Sequence, residues 1–448
     1  IKFYFYGIEL INKLNSMKNL PRRKFLRNAL AATAGVSVLP LAKGFALGAN
    51  DTIRIGFIGL GQQAINLLNG FNTIKDVKIV AGADVYGIKR ERFKMRLEEF
   101  QKQKNQSIEV DTYKDYRKII DRNDIHAVVI ATPDHWHAIM AIDAANSGKD
   151  IYQEKPITFT IKESIKVAEA VRRNNIIFAT GSQQRSDKNY QHAVNMVHRE
   201  AFGELTKVQA YVGPGPDPYN LPEEQVPADL DWQQWIGPMP YVHYNSALNP
   251  PITIDPPSNE TFWARWRYYK ETGGGFTCDW GAHNFDIGQW GLKKDHSGPV
   301  KVIPPGYKDT KYLTFVYDNG IEMTNEAYDE NKTRGVKFWG EDGWIEVSRG
   351  KIAASDSSLL PSKEENEESE LYERSPVHLE NFIHAVKRRI DPIVPVEIGQ
   401  RTAACSILGN VAYELNRPVS WSPEEQYFIN DPEAEKFYHR EYENGYKL

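Results

Sequence analysis

The sequence predicts an α/β protein whose first part is a doubly wound parallel sheet. Two observations support this fold class: short apolar runs alternate with helical segments from residue 53 to about residue 180, and a glycine-rich turn follows the first run. A third observation separates a second part. A stretch dense in proline, glycine and aromatic residues at 213–257 is followed by runs joined by hairpin turns, which indicate antiparallel strands.

The composition is typical of a soluble globular protein large enough for two or three domains. The chain has 448 residues, of which 41% are hydrophobic and 25% charged, with a net charge of −4, so no nucleic-acid partner is expected. Aromatic residues make up 12% and suit both cores and sugar ligands. Cys278 and Cys405 are the two cysteines, which permit one disulfide but form no zinc pattern, and no metal is predicted.

Residues 1–49 are expected to lie outside the fold. We expect translation to start at Met17, which makes residues 1–16 an upstream extension. A basic segment, a mildly apolar stretch at 29–47 and small residues near its end then have the layout of a signal peptide. Pro40 and Lys43 interrupt the apolar stretch, so no stable membrane span is predicted.

Arg22 and Arg23, followed by Phe25 and Leu26, resemble a twin-arginine export signal. An ordinary secretory signal or a basic helix is the alternative. The twin-arginine interpretation predicts a periplasmic protein that is exported already folded.

The first apolar run, at 53–58, leads into Gly59-x-Gly61-x-x-Ala64 and a helical segment. Gly59 permits a tight turn, Gly61 lets the backbone approach a pyrophosphate, and Ala64 keeps the helix close to the strand. The phosphates would lie at the helix N-terminus, where free N–H groups point outward. This order of strand, motif and helix predicts a Rossmann-type dinucleotide site.

Asp84 ends the second predicted strand. A carboxylate there can accept hydrogen bonds from the ribose hydroxyls of NAD, and it would repel the extra phosphate of NADP. Arg90 and Arg92, which could hold that phosphate, lie near Asp84 but do not directly follow it. The sequence therefore favours NAD as the cofactor and leaves NADP as the alternative.

Polar residues also follow the next predicted strands. Because ligands bind at the carboxyl ends of parallel strands, these residues are predicted to contact the cofactor. The acid and the base of a Glu-Lys-Pro tripeptide usually form a solvated surface pair. Here Glu154 and Lys155 follow a predicted strand, as the other candidates do, which favours a functional interpretation. His135 is open to a packing role. The candidates are Thr132, Pro133, His135, His137, Glu154 and Lys155.

The segment at 273–292, GGGFTCDWGAHNFDIGQWGL, predicts a sharp turn followed by one helix. Asp279 and His283 would then lie on one face, four residues apart, with Asp286 a turn further on. The alternative is that Asp279 caps the helix and His283 is a packed core histidine.

Seven motifs in order resemble the glucose-fructose oxidoreductase/inositol dehydrogenase family (Gfo/Idh/MocA) over essentially all of residues 51–448. The resemblance implies an NAD(P)-binding domain at 51–180 and a substrate-binding and oligomerisation domain at 181–448. The second would be an α+β domain with a large, mostly antiparallel sheet, and the protein a homodimer or homotetramer. The motifs are GLGQQA, TPDHWHA, YQEKPIT, GSQQRS, DLDWQQWIGP, GGGFTCDWGAHNFD and VEIGQRTAACSILGNVA.

The resemblance also implies that Lys155 lies beside the nicotinamide and the reacting hydroxyl, and that Asp279 and His283 lie on the substrate side. His283 is then the first choice for a general base because its unperturbed pKa is near neutrality. Lys155 would stabilise the developing alkoxide, or take the proton if burial lowers its pKa. Asp279 would bind a neighbouring hydroxyl and orient His283.

Further side chains are predicted to surround the reacting groups. His137 is expected to line the nicotinamide side. The predicted sugar contacts, each with a structural role as the alternative, are Arg185, Trp235, Trp266 and Arg267.

An exported enzyme has no NAD pool with which to exchange its cofactor, so we expect tight retention and a redox cycle closed within each turnover. The leading prediction is an exported NAD(P)-dependent oxidoreductase acting on a secondary hydroxyl of a sugar, glycoside or cyclitol. The alternative is an NAD-dependent glycosidase or lyase that oxidises the sugar transiently. Such glycosidases tend to lack the lysine of Glu-Lys-Pro, so Lys155 favours the dehydrogenase. A non-catalytic carbohydrate binder is the least favoured prediction.

Overall fold

The computed structural model describes residues 51–103, 109–252, 254, 263–361 and 378–448, all within one compact unit. The predicted extension and signal at 1–49 lie outside the described residues. In the described ranges, no helix combines the length and the apolar character needed to cross a membrane.

The first sheet has six strands in the order β3-β2-β1-β4-β5-β6, and every pair is parallel. Except in the partly buried edge strand at 111–113, buried apolar side chains on both faces explain why these strands appear in the sequence as short apolar runs. The predicted doubly wound sheet is confirmed. Its strands are β1 (Ile53–Ile58), β2 (Val77–Ala83), β3 (Asp111–Tyr113), β4 (Ala127–Ile130), β5 (Asp150–Gln153) and β6 (Phe178–Thr180).

Helices connect these strands. The last one starts with a capping box, in which Thr160 and Glu163 each accept a hydrogen bond from the other's backbone N–H. The helices are α1 (Gln62–Thr73), α2 (Gly87–Gln103), α3 (Arg117–Ile120), α4 (Asp134–Asn146) and α5 (Ile161–Arg173).

The strand order reverses between β1 and β4, and this switch point opens a crevice at their carboxyl ends. Gly59 directly follows β1 with φ of +82°. A Cβ at this position would lie 2.7 Å from the Thr132 backbone nitrogen and 2.8 Å from the Ala131 carbonyl carbon. The tight turn predicted at Gly59 therefore requires a glycine for its conformation and for its close packing against the chain after β4.

The second sheet has nine strands in the order β13-β12-β11-β7-β10-β9-β8-β14-β15. Only β7 and β10 pair in parallel. The predicted large, mostly antiparallel sheet is confirmed. Its strands are β7 (Leu205–Tyr211), β8 (Lys301–Ile303), β9 (Thr314–Val316), β10 (Glu322–Thr324), β11 (Gly335–Gly340), β12 (Trp344–Ser348), β13 (Lys351–Ala354), β14 (Val419–Ser422) and β15 (Tyr427–Phe428).

Six further helices follow β6 in the described ranges, and one of them, α10, packs against α1: α6 (Lys188–His198), α7 (Trp232–Ile236), α8 (Gly275–Asp279), α9 (Gly281–Gly291), α10 (His378–Arg388) and α11 (Val396–Leu415). Every residue of α9 is buried. Its glycines allow close packing, since a Cβ at Gly291 would lie 2.3 Å from Phe338 on β11 and one at Gly281 would lie 2.9 Å from Ser406 on α11. The glycines thus let α9 fit between the sheet and α11.

The prediction of one helix over 273–292 is wrong, because α8 ends at Asp279 and α9 begins at Gly281. The His283 backbone N–H bonds the Trp280 carbonyl at 3.0 Å, whereas a continuous helix would use the Asp279 carbonyl. The Asp279 carbonyl accepts a hydrogen bond from Lys155 Nζ instead, at 2.7 Å. A distant lysine therefore satisfies the carbonyl that the break leaves free.

Arg185 lies in a short 3₁₀ turn, Gln183–Ser186, and its side chain is 2% exposed. Its guanidinium pairs with Asp286 on α9 at 2.8 Å and with Asp295 at 2.7 Å, and Thr402 on α11 also donates to Asp286. The predictions that Arg185 contacts the substrate and that Asp286 follows Asp279 and His283 on one face are corrected here. Both residues belong to a buried ion-pair network that fastens α9.

Both cysteines are buried and neither forms a disulfide. Burial raises the pKa of the Cys278 and Cys405 thiols well above the ordinary value. Both residues are therefore small apolar packing groups in this fold.

We expect Arg185→Met to lower the free energy of unfolding by about 3–5 kcal/mol, because it leaves the Asp286 carboxylate buried without its partner. Arg172→Met is the matched control. Arg172 is 43% exposed and pairs with Asp391 and Glu397 at the surface, so its loss should cost about 1 kcal/mol or less. Urea denaturation of both variants measures the difference, and equal losses would contradict the assigned role of Arg185.

Candidate active site

Two adjoining cavities lie at the carboxyl ends of β1, β2, β4 and β5. One, of about 140 Å³, is lined by the glycine motif and Asp84; we call it the cofactor cleft. The other, of about 540 Å³, is lined by Lys155, Asp279 and His283; we call it the substrate cavity. The walls they share are Gln63, Ala131, Thr132, Trp263, Trp266 and Arg267. A ligand in the cleft can therefore extend to the groups in the cavity.

The cofactor cleft has the features that a dinucleotide requires. Gly61 is the N-cap of α1 and supplies no side-chain cap, so the N-terminal N–H groups of the helix are available to an anion. A Cβ at Gly61 would have only Lys89 Nζ within 4 Å, at 3.8 Å, so the approach to this helix end is open. Ala64 is fully buried against the sheet. These residues fit a pyrophosphate, which they would hold at the start of α1.

Asp84 lines the cleft as the sequence predicts. Its Oδ2 accepts the Leu60 N–H and its Oδ1 accepts the Tyr86 N–H, each at 2.8 Å. The two bonds fix the carboxylate beside the glycine motif, and each oxygen keeps a second lone pair for a ribose hydroxyl.

The arginines near Asp84 do not line the cleft. Arg90 donates to the Asp84 carbonyl, and the buried Arg92 donates to the Leu60 carbonyl. Besides Arg267 on the shared wall, three cations line it whose positions had no recognisable signal in the sequence: Lys89, Lys114 and Arg117.

Thr132 and Pro133 line the cleft, but His135 and His137 line neither cavity. His137 Nδ1 lies 2.7 Å from the Pro156 carbonyl and Nε2 lies 2.9 Å from the Thr132 carbonyl, while His135 Nε2 lies 2.9 Å from the Trp235 carbonyl. Burial lowers the pKa of His135 to about 3 and that of His137 to about 4. The predicted cofactor contacts are corrected to structural roles: His137 links the segments after β4 and β5.

Lys155 joins the two halves of the site. Its Nζ donates to the Asp279 carbonyl and to Asp279 Oδ1, both at 2.7 Å, and the two side chains are 12% and 17% exposed. An ammonium has three donors, so one N–H is left for a ligand. Burial opposes ionisation of Asp279, but Lys155 and then Arg267 outweigh it and lower the pKa of Asp279 below the ordinary value. Asp279 is therefore a carboxylate at neutral pH.

Glu154 is held by two amides that the sequence analysis missed. Gln63 and Gln183 each donate to Glu154 Oε1 at 2.8 Å. Burial raises the pKa of Glu154, while Gln63, Lys155 and Gln183 oppose the rise. Gln63 lies within the glycine motif, at a position where the motif accepts any residue, so no sequence pattern indicates this contact.

His283 lies in the cavity but is a poor general base. Arg349 Nη2 donates to His283 Nε2 at 3.0 Å, which places the ring proton on Nδ1, and Nδ1 has no partner among the described residues. Burial, followed by the charges of Lys155 and Arg349, lowers the pKa of His283 well below its ordinary value. The argument from an unperturbed pKa is therefore wrong, because the basic nitrogen already accepts a hydrogen bond and the ring resists protonation.

Asp134 was missed as a site residue although it lies in the TPDHWHA motif. It is the first residue of α4, lines the substrate cavity and is 5% exposed. Burial raises its pKa to about 8, helped by Asp279 and opposed by Lys155 and Arg267. At neutral pH it therefore carries a proton that it can donate.

The cavity walls are aromatic and cationic. Trp266 and Arg267 lie there as predicted, with the guanidinium carbon 4.3 Å from the Trp266 ring centroid. Trp235, predicted as a sugar contact, lines the cofactor cleft instead. Wall residues that the sequence analysis missed are Tyr190, Tyr268, Phe276, Trp280, Arg334 and Arg349. No group of three or more potential metal-binding side chains occurs in the part of the chain that the structure describes.

We expect Gly61→Val to abolish nucleotide binding without unfolding the protein, because the new side chain fills the space before α1 but meets little else. Gly59→Ala is the contrasting variant. Its Cβ clashes with the backbone at Ala131 and Thr132, so it should also lower the denaturation midpoint. Mass spectrometry of denatured protein and urea titration provide the two measurements, and full nucleotide retention by Gly61→Val would contradict the assigned phosphate position.

We expect the Asp134→Asn variant to become more stable relative to the wild type as the pH rises from about 5 to about 7. In this range the unfolded wild type has lost the Asp134 proton, whose ordinary pKa is 3.8, whereas the folded wild type retains it up to about pH 8. Wild-type stability therefore falls with pH, and the variant should gain about 1.4 kcal/mol per pH unit relative to it.

Asp431→Asn is the control for this titration. Hydrogen bonds from Arg417 lower the pKa of Asp431 to about 2, so Asp431 is ionised in both the folded and the unfolded protein across this range. The stability of Asp431→Asn relative to the wild type should therefore stay constant with pH. If the free energy of unfolding relative to the wild type is as independent of pH for Asp134→Asn as for Asp431→Asn, Asp134 is ionised in the folded protein.

The chain is 31% identical over 221 residues to an α-N-acetylgalactosaminidase of Shewanella oneidensis, covering 43% of this chain and 46% of that protein. A glycosyl hydrolase family 109 protein of a Shewanella species is 31% identical over 217 residues, with the same coverage. The chain thus spans about half the length of the curated relatives it matches.

Among solved structures, scyllo-inositol dehydrogenase from Lactobacillus casei, with bound NAD(H) and scyllo-inositol, superposes with a TM-score of 0.54 at 17% identity. Myo-inositol 2-dehydrogenase from Lactobacillus plantarum does so with a TM-score of 0.54 at 18% identity. Each comparison covers 83% of this chain and 99% of the other. These likenesses show the fold.

Family models match both parts of the chain. The model described as the NAD-binding Rossmann fold of the oxidoreductase family matches residues 53–182, and the model of its C-terminal alpha/beta domain matches residues 211–448. The chain therefore belongs to the Gfo/Idh/MocA oxidoreductase family.

Proposed function

We propose that the protein is an NAD(P)-dependent oxidoreductase that oxidises a secondary hydroxyl of a sugar, glycoside or cyclitol. The observation that carries this proposal is the position of Lys155, which is held by Asp279 in the substrate cavity beside the wall shared with the cofactor cleft. The family's NAD-binding domain and the NAD(H)-bound inositol dehydrogenase of the same fold support it.

The remaining N–H of Lys155 would bind the reacting oxygen and stabilise negative charge as the C–H bond breaks. The nicotinamide supplies the hydride acceptor when it is bound. Nζ first hands one of its own protons to Asp279 Oδ1, 2.7 Å away, and the neutral amine, turned about its Cε–Nζ bond, would then accept the hydroxyl proton. This relay needs no proton transfer to His283, whose basic nitrogen accepts the bond from Arg349. His283 would instead use its Nδ1–H to orient a neighbouring hydroxyl.

The fixed Asp84 carboxylate favours NAD as the cofactor. In contrast, the same cleft contains positive charge that the extra phosphate of NADP would need, from Lys89, Lys114 and Arg117. We keep NAD as the proposal, because Lys114 is already paired with Asp231 at 2.6 Å and Arg117 with Asp115 at 3.2 Å. Export through the Arg22-Arg23 signal, tight cofactor retention and assembly as a homodimer or homotetramer remain part of the proposal.

A second candidate is a redox-neutral glycosidase, favoured by the match to α-N-acetylgalactosaminidase. In this reaction the sugar is oxidised, its acidified C–H loses a proton, and the glycosidic bond breaks. Water then adds and the hydride returns to the sugar. The leaving oxygen needs a proton, which Asp134 is suited to donate since its pKa is about 8.

We expect Lys155→Met to lower kcat by about 10²- to 10³-fold while the bound nucleotide stays at the wild-type level, because Lys155 acts on the reacting oxygen. The matched control is Lys166→Met, since Lys166 pairs with Glu169 on the surface and lies in neither cavity. Initial rates on a panel of sugars and glycosides and mass spectrometry of released nucleotide measure both effects. Full turnover by Lys155→Met would remove this lysine from the mechanism.

The products separate the two candidate functions. A keto-sugar formed with a matching amount of reduced nicotinamide or of a reduced second sugar supports the oxidoreductase. Free sugar released from a glycoside without net reduced nicotinamide supports the glycosidase. Binding of a sugar without either product would support the non-catalytic binder.

A further inference from the structure

We propose that the substrate of this site is an acidic sugar, and that Arg334 and Arg349 bind its carboxylate. This inference rests on the proposed function, because it names the class of sugar that the same cavity accepts. It comes from two guanidinium groups in the substrate cavity that have no carboxylate partner within the described part of the chain.

Both arginines flank strands of the second sheet. Arg334 directly precedes β11, and Arg349 lies in the turn between β12 and β13. Their guanidinium carbons lie 4.9 Å and 4.7 Å from the centroid of the Trp280 ring, and Arg334 also lies 4.6 Å from Phe276. One indole thus places two cationic groups on the same wall of the cavity.

Few of their donors are used. Arg334 Nε donates to the Val212 carbonyl at 3.1 Å, and Arg349 Nη2 donates to His283 at 3.0 Å. A guanidinium has five N–H donors in a planar fork that matches a carboxylate, so most of the donors on each arginine remain available. Stacking on aromatic rings fixes the planes of the guanidinium groups, which reduces the entropy lost when they bind a ligand.

The carboxyl groups of the cavity do not offset this charge. Asp279 is already paired with Lys155, Asp187 accepts the backbone N–H groups at the start of α6, and Asp134 is protonated at neutral pH. Glu154 accepts two amide donors. The four cations of the wall, Lys155, Arg267, Arg334 and Arg349, therefore exceed the ionised carboxylates available to them.

This excess distinguishes an acidic ligand from a neutral one. A neutral sugar would cover the two guanidinium groups and remove water from them without supplying a counter-charge, which is costly. A carboxylate would supply that charge and accept charge-assisted hydrogen bonds. The alternative is that Arg334 and Arg349 only pack on Trp280 and select nothing.

Calorimetric titration of the wild-type protein, as purified with its own nucleotide, tests this inference. We expect glucuronic acid to bind about 10- to 100-fold more tightly than glucose at neutral pH, as for charge-assisted hydrogen bonds. Arg334→Gln and Arg349→Gln should each reduce this preference, and Arg349→Lys should retain part of it. Arg172→Gln removes a surface arginine and should leave the preference unchanged.

The outcomes separate this inference from the function on which it rests. Equal binding of glucose and glucuronic acid, with both arginine variants unchanged, would overturn the acidic-sugar inference and leave the sugar oxidoreductase standing. Tighter binding of glucose 6-sulfate than of glucuronic acid, lost in the same variants, would replace the carboxylate with a sulfate. No binding of any sugar by the nucleotide-loaded protein would overturn both proposals.

Discussion

The site depends on the contact between Lys155 and Asp279, because that contact joins the parallel sheet to the helices of the second part. Lys155 follows β5, and Asp279 ends α8. The lysine takes both the carboxylate and the carbonyl that the helix break leaves free. A buried ion pair adds little net stability, since desolvation offsets much of the attraction, but it fixes one relative position of its partners. The pair lines the substrate cavity, which shares a wall with the cofactor cleft.

Neighbouring groups give the ionisable side chains of the cavity different protonation states. Asp134 and Asp279 are both buried carboxyls, yet the pKa of the first is raised and that of the second is lowered, because Asp279 is bonded directly to Lys155. The cation that keeps Asp279 ionised also disfavours protonation of His283. The site thus contains a carboxylate, a protonated carboxyl and a neutral imidazole at one pH, and the mechanism follows from these states rather than from residue type.

The parallel sheet and the glycine motif were predictable because they depend on local patterns: apolar runs for buried strands, and glycine where φ is positive. The roles of the polar side chains were not predictable from the sequence, since these roles depend on partners far along the chain. Arg185 is structural because it meets Asp295, and His137 because it meets the Pro156 carbonyl. The break between α8 and α9 likewise involves a lysine 124 residues away, which no local pattern contains. Lys155 was a candidate from its position after a strand and Asp279 from its spacing to His283, but the roles expected of both came from the family resemblance.

The two buried cysteines have a consequence for where such a protein can fold. A thiol reacts with oxidants and with disulfides as its thiolate, and burial makes the thiolate scarce at both Cys278 and Cys405. The native state therefore gains no crosslink from an oxidising environment and loses none in a reducing one. A chain of this kind can mature in one redox compartment and work in another without rearranging a covalent bond.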